Sequence, residues 1–288
     1  MSTAVEVAVP AYARLGEGPT WDPAAGRLLW VDIIAAEVHA YDPATGADAV
    51  LIRTGAHVGA AKPRAGGGVV ANLRGGVGCY DPDGSFRMLA DLTVDGVRGN
   101  DAAVAPDGSL WAGTMRYDKA RGGGCLYRVD PGGDVMTVLD DVTISNGIGW
   151  SPDGRLMYYI DTPTGRIDVF DADGKDVRGR RVFVEVPGPG SPDGLAVDAD
   201  GCVWTALWGG GRVHRYTPDG RLDRVVEVPA PKSTACAFGG SDLRDLYITT
   251  ARSDDPDDDS APADGDVAGC VFVVPGAGHG LPSPAFAG

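Results

Sequence analysis

The sequence predicts an all-β fold, a six-bladed β-propeller that spans residues 1–288 as a single domain. Three observations lead there. Short apolar runs bounded by Asp, Pro and Gly recur along the chain, and long stretches with apolar residues at helical spacing are missing. The 288 residues include 44 Gly and 21 Pro, a heavy supply of turn formers. Passages of turn followed by strand also repeat at a nearly constant interval.

The repeat is read from six passages: "WDPAAGRLLWVDI", "PRAGGGVVANL", "APDGSLWAGTM", "SPDGRLMYYIDT", "DADGCVWTALW" and "GGSDLRDLYITT". Their equivalent strand residues are Trp30, Val70, Trp111, Tyr158, Trp204 and Tyr247, with spacings of 40, 41, 47, 46 and 43. Propeller blades recur at about 40–50 residues. A second kind of passage lies between them: "VHAYDPATG", "VGCYDPDGS", "LYRVDPGGD", "IDVFDADGK" and "VHRYTPDGR". Asp or Ser, then Pro, then Gly favours a reverse turn for separate steric reasons. Two hairpins per repeat make four strands, one blade. Ring closure leaves few exposed sheet edges. The last blade is expected to borrow an early strand such as "AVEVAVPAY", beside the late strand "GCVFVVPG".

Composition excludes several functions. A net charge of −15 argues against a nucleic-acid partner, which needs a basic surface, and against an anionic membrane. The charge suits a cation or a neutral polar ligand, and serves solubility. "MSTAVEVAVPAYARLGEGPTW" does not read as a signal peptide and no run approaches a membrane span, so a cytoplasmic location is expected. The five cysteines are odd in number and scattered, with no C-x-x-C pair. They read as reduced residues packed in the core. "RGGGC" and "WGGGRV" lack a strand–loop–helix context for phosphate and read as turns. The acidic run 253–266 lacks the calcium-loop pattern and reads as a solvated loop of the sixth blade. There is no G-x-S-x-G and no histidine near a plausible serine nucleophile. His39 and His214 belong to outer strands, whereas His57 is a candidate for the channel mouth.

The turn glycines give each repeat an internal address. Asn100, Asn146 and Asp193 stand eight residues before Gly108, Gly154 and Gly201, and Glu17 stands nine before Gly26. In a propeller, equivalent positions on the innermost strands converge near the axis. Two carboxylates and two amides meeting there would form a hard oxygen site for Ca²⁺, Mg²⁺, Mn²⁺ or zinc. Turn capping is the alternative for any one of them, since Asn and Asp cap turns routinely. Asn146, flanked by apolar residues in "ISNGIGWS", needs polar partners if buried.

Five segments in order carry a resemblance: "LGEGPTWDP", "RGNDAAVAPDGSLWAGTM", "SNGIGWSPDGRLMYYIDT", "SPDGLAVDADGCVWTALWGGGRVHRY" and "CAFGG" followed by "LYITTAR". From Leu15 to the final "FAG", the chain resembles the gluconolactonase/regucalcin family, also called the senescence-marker-protein family. The resemblance implies a six-bladed propeller with one divalent cation in its channel, hydrolysing a sugar lactone to its hydroxy acid. It implies Glu17, Asn146 and Asp193 as metal ligands, and Arg98 and Asn100 as a substrate-binding pair. It leaves open whether Asn100 also touches the cation. Asp118, in "GTMRYD", falls where mammalian relatives carry a substrate-contacting glutamate, and here is one methylene shorter. Asp193 is the expected acceptor of the proton from water, and Asp101 is expected to brace its loop. The partner is a small lactone, with no nucleic acid and no membrane, and the protein a monomer or small homo-oligomer. Two other functions stand beside this one: an organophosphate or aryl-ester hydrolase, and a non-catalytic calcium-binding regulatory protein.

Overall fold

The computed structural model describes residues 4–288 apart from 256, 259, 262 and 264. Its strands form six four-stranded antiparallel sheets. The innermost strands are Gly16–Asp22, Val58–Pro63, Val97–Val104, Ser145–Trp150, Ser191–Val197 and Ser233–Gly239. Each neighbours the next, and the sixth returns to the first, so the sheets close into a ring around a central channel. This is the six-bladed propeller that the repeat predicts. No helix among the described residues is long and apolar enough to cross a membrane.

The six residues used to align the repeats all fall on second strands: Arg27–Asp32, Val69–Leu73, Leu110–Arg116, Leu156–Asp161, Val203–Trp208 and Asp245–Thr250. These strands lie inside the sheet, with neighbouring blades on both faces. They therefore read as continuous apolar runs rather than alternating ones. Leu28, Leu29, Trp30 and Val31 are all buried. The outermost strand of the same blade, Ala47–Arg53, is largely exposed and carries polar residues. The turns between first and second strands need left-handed backbone, which glycine adopts without a Cβ clash. Gly26, Gly108, Gly154 and Gly201 have φ of 63°, 81°, 70° and 78°.

Blades join through aromatic contacts that also repeat. A second-strand aromatic of one blade meets a first-strand aromatic of the next. Trp111 meets Trp150 at 5.6 Å and 79°, and Trp204 meets Phe238 at 5.6 Å and 84°. Both are edge-to-face, the arrangement favoured by the ring quadrupole. Tyr247 and Trp21 make the corresponding contact across the ring closure, stacked at 6.3 Å. The closing blade contains Ser233–Gly239, Asp245–Thr250, Val271–Val274 and, as its outer strand, Glu6–Val9. The early strand pairs Glu6 with Val273 and Val7 with Phe272, the predicted arrangement. The early strand and the late strand Val271–Val274 are thereby tied into one sheet, while Phe286 bridges to Arg64 beside blade two.

All six innermost strands carry a break in register at the same address. The breaks lie between Glu17 and Thr20, Val58 and Ala60, Gly99 and Ala102, Ser145 and Ile148, Pro192 and Leu195, and Ser233 and Ala235. A bulge leaves ladder positions unpaired and re-aims a side chain. Blade two has glycine there because there is no room for more: a Cβ on Gly59 would lie 2.2 Å from the Asn100 carbonyl oxygen. Gly59→Ala is expected to lower stability by about 1–3 kcal/mol, the usual cost of overpacking. The denaturant midpoint checks this, and an unchanged midpoint would mean that the two strands are not in this contact.

Candidate metal and substrate site

Asn100, Asn146 and Asp193 lie within the bulges and Glu17, still paired with Val31, at the edge of its own, and all four reach one end of the channel. All four line a cavity of about 170 Å³, together with Arg98, whose strand enters the channel two residues earlier. All five side chains are buried. The candidate residues from four separate blades therefore meet, as radial convergence requires.

The amides are set by a chain of hydrogen bonds. Arg98 Nη1 donates to Asn100 Oδ1 at 2.7 Å and to the Gly99 carbonyl at 2.9 Å. Asn100 Nδ2 donates to Asn146 Oδ1 at 3.0 Å and to the Ser145 carbonyl at 2.8 Å. Asn146 Nδ2 donates to Thr162 Oγ1 at 2.8 Å. Each amide thus has both N–H and C=O orientation fixed, with carbonyl lone pairs left over. Asn146 finds polar partners without any cation, through Asn100 and Thr162.

The carboxylates are less well served. Glu17 Oε2 accepts one bond, from the Gly18 N–H at 2.9 Å. Asp193 Oδ1 is buried and accepts no hydrogen bond among the described residues. Burial, and then the charge of Asp101, push the Glu17 carboxyl up to about 8, against the lowering pull of the Gly18 N–H, Arg98 and Lys62. Burial, and then Glu17 and Asp101, hold Asp193 well above the ordinary carboxylate range, with Arg98 pulling the other way. Two acids are thus forced together, buried, with too little positive charge to keep both ionised. A divalent cation between them would relieve both problems, and the donor set of two carboxylates and two amide oxygens fits a hard cation. Among the described residues no group of three or more His, Cys, Asp and Glu is poised to hold a metal, so a cation here would take the rest of its shell from the amide oxygens.

The structure places Asp118 outside the lining of this cavity. Its carboxylate is bound by Arg116 Nε and Nη2, both at 2.8 Å, and it is mostly exposed on the outer side of its loop. The flanking residues Tyr117 and Lys119 line the cavity instead. Asp118 and Arg116 neutralise each other locally, and the turn carries the pair away from the channel. His57 stands beside the mouth with Nδ1 2.8 Å from the Tyr117 hydroxyl. His39 and His214 lie on third strands, away from the channel mouth. The acidic run also departs from its reading as a solvated loop: Asp254 lines the cavity, although positions 256, 259, 262 and 264 lie outside the described residues.

Asp101 braces its strand by accepting the Ala102 N–H at 2.7 Å. Its side chain belongs to a second, larger cavity of about 530 Å³ at the other end of the channel. That cavity holds the buried Lys62, whose Nζ donates to Thr20 Oγ1 at 2.6 Å. Otherwise its wall is mainly apolar, and it contains none of Glu17, Asn146 or Asp193. The smaller cavity is the one that gathers Glu17, Asp193, Arg98 and the two amides. Sequence reasoning overlooked Lys62, Tyr117, Lys119, Trp208 and Asp254, because none stands at the repeated address.

The chain matches the model of the SMP-30/gluconolactonase/LRE-like region over residues 15–252. It is 40% identical over 280 residues to a pentonolactonase of Haloferax volcanii, covering 95% of each chain. It is 35% identical over 294 residues to a 6-deoxy-6-sulfogluconolactonase of Pseudomonas putida, covering 100% of each. Among solved structures it superposes on a calcium-binding protein, regucalcin, from Agrobacterium tumefaciens with a TM-score of 0.92 and 32% identity, over 99% of this chain and 97% of that one. With the fold and nearly the full length in agreement, the chain belongs to the SMP-30/gluconolactonase/LRE-like family.

Proposed function

We propose that this protein is a divalent-cation-dependent lactonase that opens a sugar lactone to its hydroxy acid. The observation that carries the reading is the buried Asp193 Oδ1, without a hydrogen-bond donor, beside Glu17 in a cavity that also presents Arg98 and Asn100. Relatives named as lactonases over their full length support it. In this reading Glu17, Asn146 and Asp193 hold the cation, with Asn100 beside them. When bound, the cation supplies Lewis-acid polarisation of the carbonyl and acidification of water.

The chain's own residues supply orientation and proton transfer. Arg98 and Asn100 hold the ring hydroxyls and the ester group, fixing which carbonyl face meets the carboxylates. The rigid Arg98–Asn100–Asn146–Thr162 chain keeps that geometry before substrate arrives, so little reorganisation is needed. Asp193 accepts a proton as water adds to the carbonyl carbon. The ring C–O bond then breaks and the proton passes to the departing ring oxygen, giving the hydroxyl of the open acid. Tyr117, Trp208 and Met115 narrow the cavity around the ring.

Asp193→Asn is expected to lower kcat/KM by about a hundredfold or more, the range for a lost general base. Calorimetry should show weaker calcium or manganese binding in the same variant. Full activity in Asp193→Asn would exclude a required carboxylate. Arg98→Ala is expected to lower kcat/KM by about tenfold to a hundredfold, mostly through KM, the scale of one charged hydrogen bond. Unchanged kinetics would remove Arg98 from the site.

The raised Glu17 sets a pH dependence for the cation-free protein. The folded state holds this proton above the ordinary value of 4.5 and up to about 8, a window in which the unfolded chain has lost it. Its contribution to stability is therefore full below the unfolded value and lost as pH rises through the folded one. With chelator present, Tm should fall from about pH 5 to about pH 8.5 more steeply in the wild type than in Glu17→Gln. Added calcium should restore more Tm at the alkaline end. Parallel slopes for the two proteins would count against a buried, proton-holding Glu17.

A further inference from the structure

Several cations stand at the cavity mouth, beside the acids Glu17, Asp193 and Asp254 that line the same cavity. The whole protein carries −15. Yet Lys119 lines the cavity, and Lys232 lies with its Nζ 5.0 Å over the ring of Trp208, which lines it too. The Arg74 guanidinium lies 5.9 Å from the ring centre of Tyr117. Within the wall, Arg98 bonds the neutral oxygens of Gly99 and Asn100. The shared field reaches His57, whose protonation is disfavoured by burial first and then by Arg98, Arg74 and Arg14.

One anion is already seated in this field. The Asp254 carboxylate reaches the mouth from the acidic run of blade six. It meets Lys119 Nζ at 2.5 Å and Lys232 Nζ at 3.7 Å. Lys119 comes from blade three, so the pair crosses the mouth between distant blades. About half of the Lys119 side chain and a third of that of Asp254 are exposed to solvent. Such a pair is worth little, so exchange of its carboxylate for another anion costs little. Lys119 and Asp193 line the same cavity, whose volume is about 170 Å³, so one ring-sized ligand reaches both. Two lysines around one weakly held internal carboxylate form the arrangement expected where an outside anion is received.

We propose that the substrate is a sugar lactone carrying an anionic group, a phosphate, sulfonate or carboxylate, on its exocyclic carbon, and that Lys119 exchanges Asp254 for that group. This rests on the lactonase reading and names its substrate class. Lys119 is then a specificity residue: it recognises the far end of the ring while Glu17 and Asp193 act at the ester.

The test compares kcat/KM for D-glucono-1,5-lactone and its 6-phosphate ester, each corrected for uncatalysed opening. The 6-sulfonate and 6-carboxylate analogues run alongside show which anion is preferred. The wild type should favour the phosphate ester by about tenfold or more, and the ratio should shrink as salt rises from about 20 to about 500 mM. Lys119→Met should reduce the ratio by about tenfold, and Lys119→Arg should restore most of it. Asp254→Asn, which removes the competing carboxylate, should raise it, and this variant decides the matter if Lys119→Met does not fold. A wild-type ratio near or below one, with brisk opening of the neutral lactone, overturns the anionic class and leaves the lactonase reading standing. A ratio that neither Lys119→Met nor Asp254→Asn moves overturns the role of Lys119. No turnover of any lactone removes both readings.

Discussion

Glu17 and Asp193 are two acids buried within each other's field, one of them with an oxygen that accepts no hydrogen bond among the described residues. Neither would stay there if the chain were free to choose. They are held by closure of the ring, because each sits on an innermost strand whose neighbours on both sides belong to other blades. Burial raises both proton affinities, Asp101 adds to each and Glu17 adds to that of Asp193, and one carboxylate oxygen is left without a donor among the described residues.

The bulges are how closure becomes a site. In a regular strand, alternate residues face opposite sides of the sheet, and the channel end would receive whatever the alternation delivered. A register break at one address in all six inner strands turns one residue per blade toward the axis. The six positions are not used alike. Four carry oxygen donors and blade two carries Gly59, where backbone from the next blade occupies the space of a side chain. Blade six carries Thr234, whose hydroxyl donates to the Gly16 carbonyl and so ties the ring at its closing seam. A six-fold scaffold thereby holds a one-sided site, with acids on blades one and five and amides on blades three and four.

The two ends of the channel divide the work. One end holds the acids, Arg98 and the amide chain. The other is wider, mainly apolar, and shields Lys62 and Asp101 behind them. Lys62, whose own protonation burial disfavours and Asp101 and Glu17 favour, lowers the proton affinity of Glu17 and so offsets part of the repulsion among the channel acids. At the mouth, the contrast between Asp118 and Lys119 shows how one residue of loop geometry decides a role. Asp118 is tied to Arg116, and the next residue, Lys119, lines the cavity.

The repeat interval, the turn chemistry and the apolar second strands were legible in the chain, because each is a local rule stated six times over. The same periodicity exposed Glu17, Asn100, Asn146 and Asp193, since an address that recurs in sequence recurs in space once a ring closes. The closing strand was legible too, from one unpaired apolar segment at each end. Lys119, Asp254, Lys232 and Lys62 were not. They occupy no repeated address, and their neighbours lie tens to more than a hundred residues away, so no local pattern marks them. The net charge of −15 points away from an anion, whereas the field at the mouth depends on where a few cations stand. Periodic backbone rules therefore determined the fold and the carboxylate–amide ring. Only the tertiary structure decided which way Asp118 turns and which charges gather at the mouth, because electrostatic fields and side-chain directions depend on three-dimensional distance rather than order along the chain.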